Sequence, residues 1–467
     1  MQPNYKILLF FLFSIGLAHG QKMRLQKGMV NEGIAISDSL QDTYALFIPS
    51  NFDPKTPNKI LYVFDPMGDG VRAARLFMTA LPTDDFVIAT NQFPLTDDLE
   101  SNMNKIIKLI ENTSSIIKMN PQQIYVAGLD EGARVASGLT YLVTNLAGVL
   151  LVNDVFMRYD LQPKKKNEIV LGLTGNASPN YYKMQSAFDR LQFMNKDDKL
   201  FEYDGEDGWP RLDYLGTVFS TLYFLRQDAD NKELVDELVE HSFKKDSTTV
   251  DALVARQDYR IAYKLIGQLK DKYRGLMKLR PLRKQIQQLR RNKGYRDERN
   301  RINDDAEDEA ILLDDLNYFL DNDLFLADFE NLGYWNDRVT QFKKAEENPS
   351  KPYEQQVAKR MLGFIKNSLN EYGQNMNSTV MSADQLIFFY VLKTVVNPKD
   401  YAAYRKVISL AAKDNDDNTA YFYLEEMLKN GYKDYDALYT IPETEVIRIS
   451  PVFNKIVKKY FDKSKYQ

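Results

Sequence analysis

The five residues Gly128-Leu129-Asp130-Glu131-Gly132 follow the apolar run Ile124-Tyr125-Val126-Ala127 and precede the small-residue segment from Ala133 to Leu139. Two glycines at this spacing let a strand turn sharply into a helix where the backbone is strained and the chain packs too closely for side chains. Such a turn lifts its central side chain out of the end of a sheet, where a serine would be an attacking nucleophile. Here the central residue is Asp130. A carboxylate can attack an electrophilic carbon, but the ester it forms needs a base to activate water. Bases are scarce in this chain. Its two histidines are His19, in a segment that reads as removable, and His241, beside Glu240 and Lys244 in a charged helix and expected at the surface. Cysteine is absent, so neither disulfides nor thiolate metal sites nor a cysteine nucleophile are expected.

The elements that must position this turn follow from periodicity. Short apolar runs at Tyr44 to Pro49, Ile60 to Phe64, Phe86 to Thr90, Gly148 to Val152, Ile169 to Leu173 and Lys199 to Tyr203 read as strands. Between them, Arg72 to Leu81, Leu99 to Met119 and Met184 to Met194 carry helical spacing. Strands alternating with helices, with no hairpin turns, predict an α/β fold with a doubly wound, mostly parallel sheet over about residues 21–230. From 231 to 467 the texture is charged amphipathic helix, which predicts an all-α domain. Tyr401 to Ala412 and Thr419 to Lys429 form one helical hairpin, similar to a tetratricopeptide-type unit. Lys270 to Arg301 holds 13 Lys or Arg against 3 Asp or Glu, and Asp304 to Asp315 holds 7 acidic residues and no basic one. Such blocks are either a polyanion patch or solvated helix faces that partly compensate, and the close succession of signs favours the second.

Residues 1–20 combine Lys6, the apolar run Ile7 to Phe13 and Ala18-His19-Gly20, the pattern of a cleaved export signal. The expected location is periplasmic or secreted, without a membrane span. A net charge of −4 argues against nucleic acid as a partner.

Read together, these marks resemble the α/β-hydrolase fold, in particular exported esterases of the feruloyl-esterase or polyhydroxybutyrate-depolymerase type. The resemblance spans residues 43–225 and rests on Tyr44 to Pro49, Phe64-Asp65-Pro66-Met67-Gly68, the turn at Gly128 to Gly132, Gly172 to Asn176, and Asp204-Gly205-Glu206-Asp207-Gly208-Trp209-Pro210. It implies a triad of nucleophile, acid and histidine in that order. The implied positions hold Asp130, Ser178 and Asp207, so the triad is degenerate and no catalytic residue is expected. Loss of serine or histidine from a triad lowers turnover by roughly 10⁴ to 10⁶-fold. The scaffold is implied to persist as an oxyanion-hole and cleft remnant at Met67, Gly68, Glu131 and Trp209, with Trp209 expected to pack beneath its loop. Carboxylates gathered at the cleft mouth (Asp130, Asp207, Glu131 or Glu206) are expected to solvate it rather than bind a metal, and no cofactor is expected.

Three functions then compete. The first is an exported, non-catalytic pseudo-hydrolase whose helical domain docks a protein partner. The second is an ester hydrolase with a rearranged site centred on Asp130. The third is a carbohydrate- or peptide-binding module that uses the old cleft to hold a glycan or peptide ligand.

Overall fold

The structure, a computed structural model, describes residues 25–37, 41–143, 146–157, 168–206, 208–229, 235–376 and 381–466. The export segment and Asp207 therefore lie outside the described residues, as does most of the polar stretch near 230. Among the described residues, eight strands form one sheet: β1 (Met29–Ala35), β2 (Thr43–Ile48), β3 (Asn58–Phe64), β4 (Phe86–Asn91), β5 (Met119–Leu129), β6 (Leu146–Val152), β7 (Ile169–Gly175) and β8 (Lys199–Tyr203). Their order is β1-β2-β4-β3-β5-β6-β7-β8, parallel from β4 through β8, with β1 and β2 antiparallel at one side.

The central strands are apolar in succession because both sheet faces are covered. Ile60, Tyr62 and Phe64 face one core with α2 (Leu99–Ile116), α3 (Glu131–Leu142) and α4 (Tyr181–Met194). Leu61 and Val63 face the other, with α1 (Gly70–Ala80) and α5 (Leu212–Ala229). The alternation is the two-residue period of a strand. The sheet is thus the mostly parallel, doubly wound one that the run of strands and helices predicted, and it is α/β-hydrolase-like, as the resemblance implied. Two details differ. Strand β1 was not visible in its polar, irregular sequence, and its register with β2 slips between Asn31 and Ile34, the mark of an edge strand with a bulge. The helix expected to reach Met119 ends at Ile116, and Met119 opens β5 instead.

Among the described residues, eleven α-helices follow: α6 (Asp236–Ala255), α7 (Tyr259–Lys272), α8 (Arg280–Arg291), α9 (Lys293–Leu326), α10 (Leu332–Glu346), α11 (Pro352–Asn375), α12 (Ala383–Val396), α13 (Tyr401–Lys413), α14 (Asp417–Lys429), α15 (Tyr435–Leu438) and α16 (Pro451–Phe461). The first of them share the core of the sheet: Val239, Leu253, Leu265, Leu269, Leu282 and Tyr295 join α1 and α5. At the far edge of the sheet, Gln268 donates to the Leu200 carbonyl at 2.7 Å and Lys199 meets Asp271 at 2.7 Å, so α7 blunts strand β8. A separate core joins the second half of α9 to α10, α11 and α12, with Trp335 at its centre. Another joins α13, α14 and α16. Among the described residues, no helix is long and apolar enough to cross a membrane.

Candidate functional site at the carboxyl edge of the sheet

Parallel strands carry their following loops to one edge, so the turn after β5 and the loops after β3, β7 and β8 share the carboxyl side of the sheet. The turn is an elbow. Asp130 sits at φ 48° and ψ −116°, a strained region for a side-chain-bearing residue, and directly precedes α3. Its N–H donates to the Val152 carbonyl at 2.9 Å and its carbonyl accepts from Ala133 at 2.9 Å. A Cβ on Gly128 would collide with the backbone of Gly132, and one on Gly132 with the Phe64 carbonyl. Both glycines are therefore required by close approach, as their spacing predicted.

The loop after β3 is organised around Asp65, which is buried. Its Oδ1 accepts from the Met67 amide at 3.0 Å and the Asp69 amide at 3.2 Å, and its carbonyl accepts from Gly68 at 3.2 Å. Its Oδ2 takes the indole N–H of Trp209 at 3.0 Å, and the Trp209 ring stands edge-on to Phe77 at 5.1 Å. Trp209 thus supports two loops from beneath, while the Met67 side chain is 81% exposed. Glu131 is half-buried in the first turn of α3.

Asn153, just past β6, holds the next two loops together. It is fully buried at φ 61°, a left-handed conformation that asparagine tolerates better than most residues. Its Oδ1 accepts from the Gly175 amide at 2.9 Å; its Nδ2 donates to Tyr203 Oη at 2.7 Å and to the Glu206 carbonyl at 3.2 Å. Asn153→Ala is expected to lower unfolding free energy by about 2–3 kcal/mol, from stranded polar partners plus backbone strain. Urea denaturation measures it, and an unchanged midpoint would refute the role.

Ser178 is buried after β7, where its Oγ accepts from the Asn180 amide at 3.3 Å. Helix α11 lies against this loop and the one after β8. Arg360 donates to the Asn176 carbonyl, Lys359 pairs with Glu206, and Asn367 reaches the Pro179 carbonyl at 3.2 Å and Asn180 Oδ1 at 2.7 Å. Gly363 permits the contact, because a Cβ there would overlap the Pro179 backbone. Arg360 is itself clamped by Glu309 of α9 through two bonds of 2.6 Å, and Tyr182 and Tyr353 also donate to Glu309. None of the α11 residues that make these contacts was singled out from sequence. Contacts 150 or more residues apart leave no local signal, and Gly363 inside a helix is the single hint of a close neighbour.

Perturbed ionisation clusters along this junction. Burial pushes the Glu202 carboxyl upward, but Arg260 at 2.7 Å and Lys264 at 2.7 Å outweigh it and hold the group below the usual range. Glu309 is also lowered, Arg360 overcoming its burial. Asp258 moves the other way: burial, and behind it the charge of Asp204, keep it raised despite a bond from Arg256. Asp204, Asp258, Arg260, Glu298 and Tyr353 line a cavity of about 220 Å³ between the sheet edge and α7, α9 and α11. Among the described residues, no group of three or more His, Cys, Asp or Glu is placed to hold a metal ion. His241 is exposed on α6.

The elbow and the sheet give the class of fold: it resembles that of the α/β-hydrolase and esterase superfamily, and the central residue of its elbow is Asp130. No family model matches the chain, and no curated protein matches it. Solved structures do. An S-formylglutathione hydrolase from Staphylococcus aureus is similar at 11% identity over 43% of this chain and 98% of its own, with a TM-score of 0.33. The feruloyl esterase module from Clostridium thermocellum, a mutant complexed with sinapinate, is similar at 11% identity over 43% of this chain and 86% of its own, with a TM-score of 0.32. An arylesterase is similar at 11% identity over 43% and 87%, with a TM-score of 0.33. The architecture stands on its own strand order and elbow rather than on these likenesses.

Proposed function

We propose that this chain is an exported, non-catalytic pseudo-hydrolase, a binding or scaffold protein whose helical part docks a protein partner. The observation that carries the reading is that the protein's own helix α11 packs against and bonds to the two loops where an acid and a base would be placed. Two further features support it. Asp130 replaces the nucleophile, and the Met67 and Gly68 amides, which would help receive an oxyanion, already donate to Asp65. The export part of the reading rests on the sequence of residues 1–20.

The test is hydrolysis of short acyl and feruloyl esters by the purified protein, by Asp130→Ala, and by a variant rebuilt with Asp130→Ser, Ser178→Asp and Asp207→His. Wild type is expected to match the buffer blank. Turnover abolished by Asp130→Ala would overturn the reading and make the aspartate a working nucleophile. A second reading draws on the cavity lined by Asp204, Asp258, Arg260, Glu298 and Tyr353: a binding module for a carbohydrate or peptide, bound without turnover.

A further inference from the structure

Helix α9 buries one side and leaves the other bare. Leu316, Leu320 and Leu324 are buried in the core with Trp335, and Asp323 beside them accepts the indole N–H of Trp335 at 2.7 Å. On the opposite side, Ile311, Tyr318 and Phe325 are 56%, 64% and 71% exposed. Each residue of an α-helix advances about 100° and 1.5 Å, so a spacing of seven places these three within about 40° of one another along roughly 21 Å. Scattered exposed apolar residues are ordinary, but an aligned ridge of large ones marks a contact surface.

The charge beside the ridge selects what would cover it. Between Ile302 and Asp337 the sequence holds twelve Asp or Glu and no Lys or Arg. Of these, Glu307, Asp308, Asp314, Asp315 and Asp321 are exposed on α9 around the ridge. Among the described residues, no ion pair joins the basic block that precedes them to these acids. A second copy laid antiparallel about Tyr318 would set Asp315 against Asp321 twice, and a parallel one would set every acid beside itself. Anionic lipid or nucleic acid would be repelled by the same flank.

We infer that the α9 ridge is a docking site for a cationic amphipathic helix of a partner protein, with apolar residues at i, i+3, i+4 and i+7 seated on Ile311, Tyr318 and Phe325 and its Lys or Arg facing the flanking acids. The inference deepens the partner-docking reading above and rests on it for its biological sense, but it is carried by the ridge and its acidic flank.

The test uses the purified protein and a fluorescent 18-residue Leu/Lys peptide with that apolar spacing, followed by anisotropy. Saturable one-to-one binding in roughly the micromolar range is expected. The triple variant Ile311→Ser, Tyr318→Ser, Phe325→Ser should weaken it about tenfold or more, while Phe193→Ser, another exposed apolar site, should not. Affinity should fall with added salt, and a Leu/Glu peptide of the same spacing should not bind. Equal binding by wild type and triple variant, or by the Leu/Glu peptide, overturns the inference. So does a wild-type dimer that the triple variant converts to monomer, or ridge-dependent binding to phosphatidylglycerol vesicles. The ester assay and this one fail separately: a protein that hydrolyses esters yet binds the peptide refutes the pseudo-hydrolase reading and leaves the ridge intact, and a silent protein that ignores the peptide does the reverse.

Discussion

Arg360→Ala is expected to lower the stability of the protein by about 3–5 kcal/mol, because it strands a carboxylate whose ion pair is largely out of water. Arg360 is 4% and Glu309 11% exposed in their side chains, and the guanidinium meets both carboxylate oxygens at 2.6 Å. The same guanidinium donates to the Asn176 carbonyl and lies over the Tyr181 ring at 5.0 Å, so the loss also loosens α11 from the loop after β7. Arg360→Lys keeps the charge but cannot reproduce the fork, and an intermediate loss is expected. Urea denaturation gives the free energy, and proteolysis within α11 reports its release. A variant as stable as wild type would show that the fork is dispensable.

This pair also sets a pH dependence. Although burial pushes Glu309 up, Arg360 holds its carboxyl below the ordinary value. A carboxylate depressed in the folded state contributes fully above its unfolded pKa of about 4.3, and that contribution is lost as pH falls through the lower folded value. Wild type should therefore lose stability on acidification below about pH 4, and Arg360→Ala should lose less over that window.

The second large effect is expected at Asp246→Ala, again about 3–5 kcal/mol, from an ammonium left buried without its counter-charge. Lys272 is fully buried, with Nζ 2.7 Å from Asp246 Oδ2 and 2.6 Å from Ser220 Oγ, and Tyr273 Oη donates to the same Oδ2 at 2.7 Å. The group ties α5 of the sheet layer to α6 and α7. Burial lowers the Lys272 pKa even with Asp246 present. Without it the deficit should shrink toward alkaline pH: the unfolded lysine holds its proton to a higher pH than the folded one, so stability rises as pH passes between the two values. The double variant Asp246→Ala, Lys272→Met should recover much of the loss, since it leaves no orphaned charge. If single and double variants melt together, the pair contributes little.

Much of the sheet was legible because its strands are buried on both faces and read as apolar runs, as Leu146–Val152 does from end to end. The elbow was legible because two glycines four residues apart serve a crowding that the Phe64 carbonyl makes concrete. The hold of Asp65 on Trp209 and the roles of Asn153 and Arg360 were not legible. Each acts through partners brought together only by the fold, and a lone polar residue after a strand carries no mark that distinguishes a hub from a solvated loop. The basic and acidic blocks were read as mutually compensating faces, but their sequence proximity did not specify which faces the helices would bury.

Helix α9 runs without a break for 34 residues, about 50 Å at the usual rise. Its Tyr295 lies in the core shared with the sheet, Glu309 reaches Arg360 midway, and Leu316 to Leu324 fill the core around Trp335. One inserted residue between Tyr295 and Glu309 would swing everything downstream by about 100° relative to Tyr295, turning the leucines out of their core and the carboxylate off its arginine. Surface substitutions along this shaft should be well tolerated, whereas a gain or loss of even one codon within it should not.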